Sequence, residues 1–176
     1  VAAVMTGAGG CTPYVDRYNY TPQPAELTFN ANRTDASPDA RALISVVGIR
    51  RKASETRDRP GVEIKVRVEN LGEETVRFDP GAVAMVTAEL DRLDEPLSPP
   101  EPAALEPGDS TIVLLRFPLP EDAGAAGKTL AGFNARLTLE VAGQRLTRSV
   151  SFQRRRDGYD RFYYHPYHAY PFRSHH

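Results

Sequence analysis

The sequence has few of the side chains that usually perform chemistry. Among its 176 residues there is one cysteine and no tryptophan, and all four histidines lie between His165 and His176. A single cysteine excludes an intramolecular disulfide, and a region without imidazole cannot build a Ser–His or Cys–His pair. We therefore expect the chain before His165 to be held together by its core alone and not to be an enzyme.

Charge of one sign and long apolar runs are also scarce. The net charge is −1, with acidic and basic residues interspersed, and this balance indicates no nucleic-acid partner. No stretch of 18 apolar residues follows Cys11, so no later segment is predicted to span a membrane. Arg154–Arg156 is a basic run that fits either a solvated strand end or a contact with anionic lipid headgroups.

The lone cysteine ends a run of small residues. Ala8-Gly9-Gly10-Cys11 resembles the bacterial lipobox, with Ala8 where that motif usually has a large aliphatic residue. The resemblance implies that residues 1–10 are the remnant of an export signal and that Cys11 carries a lipid. It also implies a bacterial cell-envelope protein held at the membrane, and Thr12 is compatible with the outer membrane, facing the periplasm or the surface. The alternative is a free thiol in a flexible leader.

Most of the remaining chain has the pattern of short strands. After a proline- and tyrosine-containing tether at 11–24, Ile64, Val66 and Val68 alternate strictly with charged residues, as on an antiparallel sheet with one wet face. Ile112–Leu115 is continuously apolar and predicts a strand covered on both faces. Residues 133–152 predict a terminal hairpin. We expect residues 25–153 to form an all-β, two-sheet antiparallel immunoglobulin-like sandwich of seven or eight strands.

Several short motifs resemble one bacterial family. Val66-Arg67-Val68-Glu69-Asn70-Leu71-Gly72, then Val76-Arg77-Phe78, then Leu105-Glu106-Pro107-Gly108-Asp109 before an apolar strand ending in Phe117, are similar to small lipoproteins with a telokin-like immunoglobulin domain. The resemblance implies an extracytoplasmic, non-catalytic interaction domain. It carries over no binding residue, because its motifs describe turns and strands.

The C-terminal segment 154–176 is crowded with aromatic residues, histidines and prolines. Three interpretations compete: the segment packs on the sandwich or a neighbouring chain, it docks onto a partner protein or glycan, or it binds a divalent metal. Polyproline II backbone would align tyrosines along one edge. The partner-binding residues would then be Tyr163, Tyr164, Tyr167, Tyr170 and Phe172.

The metal interpretation rests on imidazole, which suits zinc and copper. Its ligands would be His165 and His168, with His175 and His176 as further donors unless these last two are not native. The sequence therefore predicts an envelope lipoprotein that acts as a structural or binding module for a protein or glycan, with no required cofactor. The alternative is an envelope lipoprotein that binds zinc or copper.

Overall fold

The computed structural model describes residues 18–31, 37–50, 60–119 and 130–156, in which all but one of the regular elements are strands. A single turn of 3-10 helix, Pro80–Ala82, separates the fifth strand from the sixth. The strands are β1 Tyr18–Thr21, β2 Ala25–Phe29, β3 Ala40–Arg50, β4 Gly61–Asn70, β5 Val76–Phe78, β6 Ala84–Thr87, β7 Ala103–Leu105, β8 Ser110–Pro118, β9 Gly132–Val141 and β10 Gln144–Arg156.

The strands form two antiparallel sheets. The first, sheet A, has the order β2-β3-β4-β8. The second, sheet B, has the order β1-β10-β9-β5-β7, and β6 pairs with β9 beyond the end of β5. The predicted all-β sandwich is confirmed. The described residues contain ten strands instead of the predicted seven or eight. Two of the ten, β1 and β7, are short, and β5 and β6 pair one after the other with β9.

Alternating aliphatic residues from both sheets make the core. Ile64, Val66 and Val68 of β4 are fully buried, as their spacing predicts, and Ala135, Leu137 and Leu139 of β9 are buried in the facing sheet. The register of β3 against β4 shifts between Val46 and Gly48, which marks a β-bulge or irregularity. The packing of these aliphatic side chains fixes the register, because a slip by one residue would turn them towards water.

The sandwich begins earlier and ends later in the chain than predicted. Residues 18–21, which the sequence analysis placed in the tether, form β1 and pair with the last four residues of β10. Tyr20 is buried, its ring centroid lies 4.9 Å from that of Phe133, and its hydroxyl donates to the carbonyl of Leu130. Pairing with β1 also extends β10 through Arg156, beyond the predicted boundary at 153.

The turn after β4 leads into the other sheet. β5 pairs with β7 and β9, so the segment after Asn70 crosses to sheet B and does not fold back on β4. The Nδ2 of Asn70 donates to the carbonyls of Glu74 and Leu105, at 2.8 and 2.9 Å, and its Oδ1 accepts from the amide of Gly72. This buried amide joins the ends of β4, β5 and β7, and it holds the change of sheet in place.

Candidate interaction surfaces

The site residues predicted from the sequence lie outside the described residues. Cys11, the aromatic set Tyr163, Tyr164, Tyr167, Tyr170 and Phe172, and the histidines His165 and His168 are therefore neither brought together nor separated by this structure. Within the described ranges, no group of three or more His, Cys, Asp or Glu residues is placed to hold a metal ion. Those same ranges contain no helix with the length and apolar character needed to cross a bilayer.

The first candidate surface lies on β8, at the edge of sheet A. Ile112 and Leu114 are 56% and 57% exposed, whereas their neighbours Val113 and Leu115 point into the core. The prediction that this run is covered on both faces is therefore wrong. A continuous apolar run does not specify its neighbours, and within the described ranges β8 has β4 on one side and no second sheet over its outer face.

No described strand pairs with the backbone of β8 along part of this edge. The amide of Leu97 donates to the carbonyl of Arg116 at 2.8 Å, so the main-chain groups of Arg116 face away from β4. The N–H and C=O groups of alternate residues point to the same side of a strand. The main-chain groups of Leu114 and Ile112 therefore also face away from β4. The 96–100 connection covers the edge at Arg116. We define the stretch Ser110–Leu114 beyond it as the β8 edge.

The outer face of sheet A beside this edge is charged and ordered by ion pairs. The carboxylate of Glu69, only 9% exposed, accepts from Arg41 at 2.7 Å and lies 2.7 Å from Arg67. Glu63, 3% exposed, pairs with Arg50 at 3.2 Å. The sequence predicted a wet charged face here, but its two end carboxylates are buried beneath arginines. Burial of a charge requires such a partner.

Cations lie directly opposite the exposed aliphatic residues of β8. Lys65 pairs in register with Leu114, and Arg67 pairs with Ile112. Because Glu63 and Glu69 are buried, the groups that reach solvent next to Ile112 and Leu114 are largely cationic. The β8 edge therefore combines open backbone groups, two aliphatic side chains and neighbouring positive charge.

Sheet B presents a different outer face. Cross-strand hydrogen bonds join Thr138 to Thr147 at 2.9 Å and Asn134 to Ser151 at 3.1 Å. A shallow groove of about 360 Å³ lies farther along this face, and its wall includes Arg145. The hydroxyls and amides of this surface bond with one another, and such a face is typical of a solvated sheet.

The second candidate surface is one end of the sandwich, where β6 turns back towards residue 92. The amide of Leu90 donates to the carbonyl of Thr87 at 3.0 Å, and the amide of Thr87 donates to the carbonyl of Asp91 at 2.9 Å. Within this turn Leu90 has φ +72 and is 83% exposed. The left-handed region suits glycine or asparagine, and it is unfavourable for a leucine side chain by about 1–2 kcal/mol.

Leu90 stands beside a groove that the ends of three strands share. This groove, about 760 Å³, is lined by residues that include Val86, Ala131 and Arg154. The amide of Arg154 donates to the carbonyl of Ala131 at 2.9 Å, and Tyr18 pairs in register with Arg156. We call this region the hairpin end, after the turn that carries Leu90 and not after the hairpin of β9 and β10. It brings together an exposed leucine, the arginine run and the point where the chain enters β1.

Sequence reasoning missed the β8 edge and Leu90 for different reasons. The exposure of Ile112 and Leu114 follows from the order of strands in sheet A, which no local pattern records. Leu90 lies between Glu89 and Asp91 in a short polar turn, and a leucine flanked by two acidic residues was the one signal that marked it. An apolar side chain in a polar turn is informative when the turn also requires a positive φ.

Comparison with known proteins gives similarity to solved structures alone: no family model and no curated protein matches the chain. The yjhA protein from Bacillus subtilis matches with a TM-score of 0.39 and 14% identity, over 63% of this chain and 76% of that one. The candidate lipoprotein ycdA from Bacillus subtilis gives 0.42 and 14%, over 68% of this chain and 38% of the other. The structural-genomics target SoR45 gives 0.42 and 10%, over 78% and 95%. These similarities assign no function.

Proposed function

We propose that the protein is a non-catalytic lipoprotein of the bacterial cell envelope with a telokin-like immunoglobulin domain, anchored through Cys11, whose β8 edge binds an extended segment of a partner protein. The observation that carries this proposal is the exposure of Ile112 and Leu114 on an edge strand with open backbone groups. Soluble proteins usually protect such edges with charge, proline or a covering loop.

The chemistry of the edge defines the partner. An added strand would pair with the outward amides and carbonyls of Ile112 and Leu114, and it would place its own apolar side chains beside theirs. Lys65 and Arg67 lie one strand away on the same face, so a carboxylate of the partner on that face, in the same row as its apolar side chains, would be favourable. The partner segment is thus extended, with apolar residues and at least one acidic residue at alternate positions that share this face. The aromatic segment after Arg156 is a second contact element in this proposal.

A photo-crosslinking amino acid at position 112 in cells tests the site, with the same group at exposed Arg136 of sheet B as the matched control. A partner captured at 112 and absent at 136 is then purified and its affinity measured. Ile112→Lys combined with Leu114→Lys is expected to weaken binding at least about tenfold, through lost apolar contact and repulsion. Equal capture at both positions would contradict the β8 site.

Hydrogen exchange separates strand addition from simple apolar contact. Bound partner should slow exchange at the amides of Ile112 and Leu114, which face the open edge. The amide of Val113 faces β4 and should change little.

A second chain, ending at Arg156 so that the pairing with β1 is retained, tests the aromatic segment. Unchanged affinity in that chain would remove the segment from the contact while leaving the β8 site intact.

A further inference from the structure

We propose that the hairpin end faces an anionic lipid bilayer, with Leu90 inserted among the headgroups and the arginine run held against their phosphates. This inference extends the proposed function and rests on it, because it takes the membrane as the place where the protein works. Three features of the hairpin end indicate contact with a bilayer surface: its apolar tip, its charge and its position relative to the predicted anchor.

The tip is a leucine that the turn itself does not favour. Leu90 is 83% exposed, and its φ of +72 is a conformation better suited to glycine. Neither packing nor backbone preference in the described residues accounts for leucine at this position. Insertion of the side chain among lipid headgroups would remove its apolar surface from water.

The charge of this end suits an anionic surface. Arg154–Arg156 form the last three residues of β10, and Arg92 follows the turn. Glu89 and Asp91 flank Leu90 and oppose the attraction; in the sequence, these two carboxylates stand against four arginines, Arg92 and Arg154–Arg156. Basic residues close to an anionic membrane surface favour binding, and the effect falls off within a Debye length.

The position of this end agrees with attachment through Cys11. Tyr18, the first residue of β1, pairs with Arg156 and lies seven residues after Cys11. Seven residues span at most about 25 Å. A lipid on Cys11 would therefore hold the hairpin end within roughly that distance of the bilayer. The opposite end of the sandwich, which carries Leu71, lies the length of a strand farther away.

The experiment uses the full chain with Cys11→Ser, so that binding cannot come from an attached lipid. In this background Leu90→Cys carries an environment-sensitive fluorophore, and Leu71→Cys, an exposed leucine at the far end, is the matched control. With phosphatidylglycerol-containing vesicles we expect a blue shift at position 90 and none at 71. Neutral phosphatidylcholine vesicles should give a much smaller shift, and added salt should weaken binding.

Vesicle partitioning of unlabelled variants completes the test. Leu90→Gly, which suits the backbone, should lower the partition coefficient about tenfold, and Arg155→Gln should lower it about fivefold, while Leu71→Gly should not change it. Equal shifts at positions 90 and 71, or unchanged partitioning of Leu90→Gly, would overturn the bilayer surface and leave this end to another occupant. Failure of lipid attachment in cells or of binding at the β8 edge leaves these measurements unaffected, so the two proposals fail separately.

Discussion

The two ends of the sandwich close their turns in opposite ways. At the end where β4 crosses to β5, the side chain of Asn70 makes three hydrogen bonds to main-chain groups and is 1% exposed. At the hairpin end, the corresponding turn exposes an aliphatic side chain from a left-handed residue, Leu90. The first arrangement serves the fold, since each polar group has its partner. The second opposes stability locally, and such conflicts are typical of contact surfaces.

Among substitutions at the two ends, the largest expected effect is at Asn70. Asn70→Ala removes three hydrogen bonds and leaves the buried carbonyl of Leu105 without this donor. We expect the free energy of unfolding to fall by about 3 kcal/mol. Chemical denaturation measures the loss. Asn134→Ala is the control, because Asn134 bonds to Ser151 on the solvated face of sheet B, and a change of at most about 0.5 kcal/mol is expected there. Similar losses at both positions would remove the distinction between the two ends.

The role of Asn70 also shows which features a sequence can predict. The strict alternation along β4 and the turn at Ala142-Gly143 predicted β4 and the β9–β10 hairpin, because these patterns are local. The sequence 70–74 equally suits a hairpin or a change of sheet. The outcome depends on Leu105, 35 residues away, which provides a carbonyl for the Asn70 amide.

For the same reason, local sequence patterns could not predict the order of the strands in each sheet or which strands lie at an edge. Ile112–Leu115 is apolar on both faces, and only the position of β8 at an edge determines that Ile112 and Leu114 meet solvent. Tyr20 resembled a tether residue because prolines follow it, although its ring packs against Phe133. Local patterns predicted most strands of the fold, and of the two candidate surfaces they marked only the arginine run of the hairpin end.

An intermediate effect, with opposite signs at the two ends, is expected for glycine substitutions. Leu90→Gly relieves the unfavourable φ and should stabilise the protein by about 0.5–1 kcal/mol, even though glycine increases the entropy of the unfolded chain. Leu71→Gly has no such strain to relieve and should destabilise by a similar amount. Thermal unfolding of both variants measures the two signs. Destabilisation by Leu90→Gly would mean that the leucine serves the fold rather than a contact.

The smallest effect is expected on β8, where neighbouring leucines allow the contact surface to be compared with the core within one strand. Leu114→Thr keeps strand propensity and changes only an exposed side chain, so the free energy of unfolding should change by at most about 0.5 kcal/mol. Leu115→Ala, one residue along and 1% exposed, should cost about 2–5 kcal/mol. Urea denaturation of the two variants gives both values. A loss of several kcal/mol for Leu114→Thr would show that its outer face is already covered within the chain, and the β8 edge would then be closed to a partner.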